Sequence, residues 1–311
     1  MNGNDSSIAV FARTRWGIDA AKRLIAGGRK IVLVATGKAE DFYQCGLEDY
    51  EQFAHDIGAT FLDASPTEFA REAAASGADV AISVNWPHLL NQEIISAFPL
   101  GIINAHAGDL PRYRGNACPN WAILNGEAHI GLCAHLMQAD SLDSGPVMVR
   151  EYFPLTGDTY IGDVYAWLDQ RVPAILAAAA EQRLQGASAT PQPLDPKLAL
   201  RCYPRRPEDG RIDWRASAET VHRLIRASSR PFSGAFAFLE DGRRITVWSA
   251  AIHAHREPFC AVPGHIMLRA DSGVVVACGE GCLLLREVEV KGLSGENSSL
   301  ALRRSLRARL S

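Results

Sequence analysis

Two features predict an α/β fold with a mostly parallel sheet, followed by a smaller β-rich domain. Over residues 1–185, short apolar runs alternate with amphipathic stretches, the rhythm of strands and their covering helices. Past a stretch at 185–197 rich in Pro, Gly, Ser and Thr, short strand patterns recur at regular spacing, which suits a small barrel.

In order, the strands of the first part are expected at 8–12, 30–35, 79–84, 101–105, 130–137 and 147–153. Each is an apolar run of strand length bounded by turn formers. Helical patterns lie between them at 19–25, 47–57, 67–75 and 88–97, a short helix is expected around Trp121, and a long one at 159–184. This order predicts a ligand cleft at the carboxyl ends of the parallel strands. The second part carries a helix at 218–227 and strands at 234–239, 244–250, 265–270, 274–278 and 282–290, then a basic amphipathic helix at 298–310. The predicted division is a catalytic domain over 1–185, a linker at 186–200 and a second domain over 201–311.

Several function classes are disfavoured. The turn after the first strand, Phe11-Ala12-Arg13-Thr14-Arg15-Trp16-Gly17, lacks the Gly-x-Gly-x-x-Gly pattern of dinucleotide oxidoreductases, and the chain has no phosphate-binding loop of the Walker type. Residues 1–7 are short and polar and no apolar run approaches 18 residues, so a soluble, cytoplasmic chain with no membrane partner is expected. The seven cysteines lack the two-residue spacing of zinc knuckles or redox pairs. His253-Ala254-His255 near Cys260 raises the question of metal, but alternation along a strand accounts for it and no metal site is expected.

Three polar residues stand out at strand ends. Asn104 and His106 are two positions apart, so strand alternation puts both on one face. The strand at 130–137 runs into a polar loop holding Asp140 and Asp143. Singly, Asn104 reads as a strand end, His106 as a turn cap and Asp143 as an Asx-turn residue. Together, flanked by turn formers, an amide, an imidazole and a carboxylate suit acyl transfer to an amine. The amide and the imidazolium bind an oxyanion, while the carboxylate orients the ring.

Five ordered elements carry a resemblance. They are Asn104-x-His106, Leu110-Pro111-x-Tyr113-Arg114-Gly115, Trp121-Ala122-Ile123 with Gly126-Glu127, His135-x-Met137, and Asp143-x-Gly145-Pro146. This series resembles the core of the 10-formyltetrahydrofolate-dependent formyltransferases. Residues 206–214, 222–226 and 231–236 are similar to that family's carboxy-terminal domain. The resemblance implies a Rossmann-like sheet followed by a small OB-like β-barrel, with Asn104, His106 and Asp143 carrying formyl transfer from 10-formyltetrahydrofolate. It also implies that the pterin lies against Val84, Trp86, His88, Leu89 and Leu90 and against Gln138 and Asp140, largely on backbone groups. One departure is visible: many members have Ser-Leu-Leu-Pro where this chain has Gly108-Asp109-Leu110-Pro111.

Charge bears on the acceptor. Residues 1–185 hold 13 Lys+Arg and 22 Asp+Glu, net −9, and residues 186–311 are net +6. Polyanionic tRNA needs basic surface beside the chemistry. The tRNA-directed members resemble one another in a basic, Gly-rich insertion after the second strand, whereas residues 37–49 here are compact and net negative. Residues 245–249, 253–255 and 277–281 are closer to the amino-sugar formyltransferases, including one that formylates UDP-4-amino-4-deoxy-arabinose. A nucleotide-linked amino sugar is the expected acceptor, with Arg13, Arg15, Arg112, Arg114 and Asn116 as candidate contacts and plain surface solubility as the competing role of each arginine. The alternatives are a methionyl-tRNA formyltransferase and, from another class, a non-catalytic folate- or nucleotide-binding protein. Oligomeric state stays open.

Overall fold

The computed structural model describes residues 6–38, 45–63, 66–139, 141–193, 195–270, 272–303 and 308–311. It divides into two units: the chain up to Cys118 with His129–Pro154 and Tyr165–Tyr203, and Pro119–Ala128 with Leu155–Val164 and Pro204–Ser311.

The first unit is built on a seven-stranded sheet. Its strands are β1 (Ser7–Ala12), β2 (Lys30–Thr36), β3 (Thr60–Asp63), β4 (Val80–Val84), β5 (Ile102–His106), β7 (His129–Leu136) and β8 (Val147–Pro154); the two-residue strands β6 (Arg114–Gly115) and β9 (Arg201–Cys202) lie outside it and pair with each other. The order is β3-β2-β1-β4-β5-β7-β8. Strands β1 to β5 pair in parallel; β7 pairs antiparallel with β5 and β8 antiparallel with β7, so β7 alone of the seven is reversed. The central strands are mostly apolar because helices cover both faces; Val80–Val84, with Ser83 its one polar residue, is buried at every position. Its helices are α1 (Arg15–Ala26), α2 (Leu47–Ile57), α3 (Pro66–Ala75), α4 (Gln92–Ser96) and, from Tyr165 on, α6 (Ile161–Leu184); α5 (Cys118–Asn125) falls in the second unit from Pro119 on. Within the first unit Arg29 clamps Glu181 of α6 through two hydrogen bonds of 2.9 and 2.7 Å.

Three local expectations change. Strand β3 was not foreseen. Helix 88–97 shrinks to α4, because Asn91 caps it by accepting from the Ile94 N–H at 3.0 Å, leaving 85–90 as loop. Strand β5 extends through His106, so Asn104 and His106 both belong to it. Within residues 37–49, positions 39–44 lie outside the described residues.

The second unit holds a five-stranded antiparallel sheet. Its strands are β10 (Ala235–Phe238), β11 (Arg244–His253), β12 (Ile266–Ala270), β13 (Gly273–Ala277) and β14 (Cys282–Val290), in the order β10-β11-β14-β13-β12. Helix α7 (Ala218–Ser228), capped by Ser217, packs Val221 and Ile225 onto the Ile245, Val247, Leu283 and Leu285 core. The expected helix at 298–310 is corrected: α8 is Gly295–Arg303, and residues 308–311 are hydrogen-bonded to strand edges. Ser311 exchanges backbone bonds with Phe238 at 2.8 and 2.9 Å, Leu310 N–H donates to Gly264 O at 2.9 Å, and Ile266 N–H donates to Ala308 O at 3.1 Å. One short segment therefore joins the two edges of the sheet, satisfying groups that an open edge leaves bare. Among the described residues, no helix is long and apolar enough to cross a membrane.

Candidate active site

Register brings the first polar group together. In the antiparallel pairing of β5 with β7, Asn104 stands opposite His135 and His106 opposite Cys133. Asn104 Nδ2 lies 3.2 Å from His135 Nε2. Asp143 arrives on the loop between β7 and β8 with a left-handed backbone, φ 51°. Its Oδ2 is 3.5 Å from His106 Nδ1 and its Oδ1 is 3.5 Å from His135 Nε2. His106 and Asp143 are each 8% exposed and His135 1%, so these charges act in a low-dielectric pocket. The structure thus brings Asn104, His106 and Asp143 together and adds His135.

The hydrogen bonds fix which ring nitrogens are free. His106 Nε2–H donates to the Tyr113 carbonyl at 2.6 Å, which leaves Nδ1 as the nitrogen available for chemistry. His135 Nδ1–H donates to Leu136 O at 3.0 Å, so its Nε2 accepts from the Asn104 amide when neutral and donates to Asp143 when charged. Gly115 N–H donates to Asp143 Oδ2 at 2.8 Å. Burial pushes the Asp143 carboxyl up, but the charge of His106, the hydrogen bond and charge of His135 and the Gly115 N–H outweigh it. The group is held well below the usual carboxylate range.

The Gly108-Asp109 departure has a structural reason. A Cβ at 108 would stand 2.2 Å from Tyr113 O and 2.5 Å from His106 Nε2, so the bond between them needs glycine there. The Asp109 carboxylate accepts from Arg150 and, at 3.1 Å, from Tyr152, with His129 Nε2 at 3.5 Å. These residues of β7 and β8 pin the turn that carries Tyr113.

The other expected residues disperse around this centre. Val84 and Leu90 are buried, whereas His88 and Leu89 are exposed on the 85–90 loop. Trp86 stacks beside Phe69, ring centroids 4.9 Å apart, and its buried Nε1 meets no hydrogen-bond partner among the described residues. Gln138 is exposed and accepts from Ser144 Oγ at 3.3 Å. Asp140 lies outside the described residues. Arg13 donates to Asn85 O and Lys38 O at 2.6 and 3.2 Å, and Arg15 pairs with Asp19 on the surface at 3.6 Å. Arg112 is exposed over the Tyr113 ring at 5.5 Å. Arg114 donates to Gln192 Oε1 at 2.7 Å, and the exposed Asn116 gives its backbone N–H to Cys202 O at 3.2 Å. Among the described residues, no group of three or more His, Cys, Asp or Glu is placed to hold a metal ion.

Sequence reasoning missed His135, the Tyr113 carbonyl and Gln192. The signals available for His135 were an imidazole in the otherwise apolar run Ile130–Met137 and its place in the His135-x-Met137 element, where it was given no role; a main-chain carbonyl and a linker glutamine carry none.

Comparison with known proteins bears on this cluster. A family model described as formyl transferase matches residues 9–179, and one described as formyl transferase, C-terminal domain, matches residues 205–299. A methionyl-tRNA formyltransferase of Sorangium cellulosum is 34% identical over 226 residues, 72% of this chain and 71% of the relative. The structure of an N-formyltransferase from Helicobacter canadensis, in complex with folinic acid and dTDP-3-aminofucose, matches with TM-score 0.68 at 11% identity, over 90% of this chain and 99% of that one. HypX from Aquifex aeolicus, in complex with tetrahydrofolic acid, matches with TM-score 0.60 at 17% identity over 96% of this chain; the chain spans 47% of HypX, about half its length. Likenesses at such identity establish the fold alone, whereas the family model covers more than half of the sequence. The chain belongs to the formyl transferase family, enzymes that move a formyl group carried by folate.

Proposed function

We propose that the chain transfers the formyl group of 10-formyltetrahydrofolate to the amine of a nucleotide-linked amino sugar. The observation that carries the chemistry is the meeting of Asn104, His106, His135 and Asp143 at the end of β5. The folate co-substrate would supply a formyl carbon bonded to N10: the amine nitrogen adds to that carbon while its oxygen takes the negative charge, and the C–N10 bond then breaks as the charge returns, N10 leaving with the proton that the amine lost. Asn104 spends one N–H on His135 and keeps the second for the oxygen that gains negative charge. A preorganised donor at that position is worth roughly 3–4 kcal/mol. His106, anchored through Nε2 on Tyr113, presents Nδ1–H at an ion-pair distance of 3.5 Å from Asp143, so its positive charge stands beside the same oxygen. Asp143, kept ionised, holds the imidazolium and takes the proton lost by the amine, directly or through a water.

The buried Trp86 Nε1, a donor with no acceptor among the described residues, fits a heteroaromatic ligand on the 85–90 loop. In this reading Val84, His88, Leu89, Leu90 and Gln138 line the folate, and Arg13, Arg15, Arg112, Arg114 and Asn116 meet the acceptor.

The acceptor class rests on charge. Residues 1–185 are net −9, a poor surface for a polyanion and sufficient for a sugar nucleotide that needs a few donors. The second reading, a methionyl-tRNA formyltransferase, is favoured by the 34% identity to a relative of that name. Purified protein given 10-formyltetrahydrofolate and a panel of UDP-, GDP- and dTDP-linked amino sugars yields a product heavier by one formyl group. Formylation of charged initiator tRNA alone overturns the sugar assignment and leaves the chemistry standing.

A further inference from the structure

We infer that Gln192, in the segment whose composition reads as a linker, is a positioning residue that holds the Asp143 loop and β6 in the catalytic arrangement; this rests on Asp143 serving as proposed above. The Gln192 side chain is 7% exposed. Its Nε2 donates to both Asp143 O and Gly145 O, at 2.9 and 2.8 Å, and its Oε1 accepts from Arg114 at 2.7 Å. Both N–H groups and the carbonyl of one buried amide are thus satisfied by the two segments that define the site.

The geometry explains why such an amide is needed. Asp143 has a left-handed backbone, φ 51°, a conformation that Asp visits more readily than most residues with a Cβ but still at a steric cost, which fixed partners for its carbonyl offset. Gln192 grips the carbonyl of that residue and the carbonyl two positions on. Through Arg114 it also holds β6, whose Gly115 N–H donates to Asp143 Oδ2. Two neighbouring features fasten the same strap: Thr190 exchanges two backbone bonds of 2.8 Å with Val147, and Arg201–Cys202 pairs in parallel with Arg114–Gly115. A glutamate in place of Gln192 keeps the size and an acceptor for Arg114 but has no N–H for the two carbonyls, and sets a carboxylate against them. A leucine keeps the bulk alone.

The test compares full-length wild type, Gln192→Glu, Gln192→Leu, Gln192→Asn and Asp143→Asn by kcat, KM, the pH profile of kcat/KM and a carbon NMR titration of the Asp143 carboxyl. Gln192→Glu and Gln192→Leu are expected to lower kcat about 100-fold, the loss that an ångström of misplacement brings, with KM changed less than about threefold. The acid limb of the profile and the Asp143 titration both move to higher pH, which a loss of stability alone does not produce. Gln192→Asn keeps the donors on a shorter stem; it is the variant read if the other two do not fold, and the same two shifts are expected in it. Variants that fold with wild-type kcat, acid limb and titration overturn the inference while Asp143→Asn is inactive. An active Asp143→Asn overturns instead the role given to Asp143.

Discussion

Replacing Gly145 by alanine puts a methyl carbon 1.7 Å from the Leu136 carbonyl oxygen and 2.9 Å from its carbon. Contacts of Cβ with backbone below 3.0 Å essentially never occur, so the Asp143 loop and the end of β7 must part by at least about 1.3 Å. No flexible side chain is there to yield, because the obstacle is backbone. Leu136 O is also the acceptor that anchors His135 Nδ1, and Gly145 O is one of the two carbonyls held by Gln192. The displacement therefore reaches Asp143 and His135 together. A shift of about 1 Å in a catalytic group costs on the order of 100-fold in rate, and overpacking of this kind costs about 1–3 kcal/mol of stability. The assay is tetrahydrofolate release with the acceptor found by the mass screen, beside urea unfolding of the same preparation. Gly157→Ala, where the added methyl meets no atom within 4 Å, serves as the control and keeps wild-type values. A Gly145→Ala enzyme with kcat within threefold of wild type refutes the dependence of the site on this loop.

Other expectations follow from single groups. Asp143→Asn keeps an acceptor for Gly115 N–H and loses the charge beside His106 and His135, so kcat drops at least about 100-fold. Because the folded state holds this carboxyl below its unfolded value of about 3.9, its stabilisation is full above that pH and is lost as pH falls through the lower folded value; urea unfolding across pH 2–7 should show a steeper acid loss for wild type than for Asp143→Asn. Burial lowers the His222 pKa, and its Nε2–H donates to Ala250 O at 3.0 Å. The unfolded chain therefore takes up a proton that the folded state resists: stability is full above about pH 6.5 and declines below it, and thermal unfolding of His222→Gln should lack that part of the slope. Leu310, 1% exposed where the chain joins the two edges of the second sheet, should lose about 2–5 kcal/mol on replacement by alanine, read as a lower urea midpoint.

What was legible in the sequence tracks how local its physical cause is. Strand β1 from Ile8 on, and β4 apart from Ser83, are apolar runs because both faces are covered, and that pattern is visible in isolation. Strand β3 is four residues, Thr60–Asp63, half-exposed and bonded only to β2, so it carries no periodic signal and exists through its neighbour. The helix over 88–97 is overextended because apolar content at Leu89, Leu90 and Ile94 imitates a helix face, while Pro87 and the Asn91 cap hold the first two of these in a loop. In the site, Asn104 and His106 were legible through period-two alternation. His135 was not, since its place opposite Asn104 depends on antiparallel register, a long-range property. Gln192 was hidden more deeply: its segment has the composition of a connector, and only hydrogen bonding to Asp143, Gly145 and Arg114 reveals its part in the site.

The same distinction explains why chemistry is easier to read here than acceptor. Formyl transfer depends on donors and charges acting across about 3–4 Å, and those are fixed by strand pairing and one strained loop. Recognition of an RNA backbone acts through counterion release, with affinity falling roughly as the 0.9 power of salt concentration for each duplex phosphate neutralised. It requires basic surface over many ångströms around the reacting centre. Residues 1–185, which hold all four polar groups of the site, carry nine more acidic than basic side chains. The positive excess lies in residues 186–311, beyond those four groups along the chain. A small acceptor whose two phosphates meet one or two arginines tolerates that division of charge; a polyanion must offset it at every contact it makes.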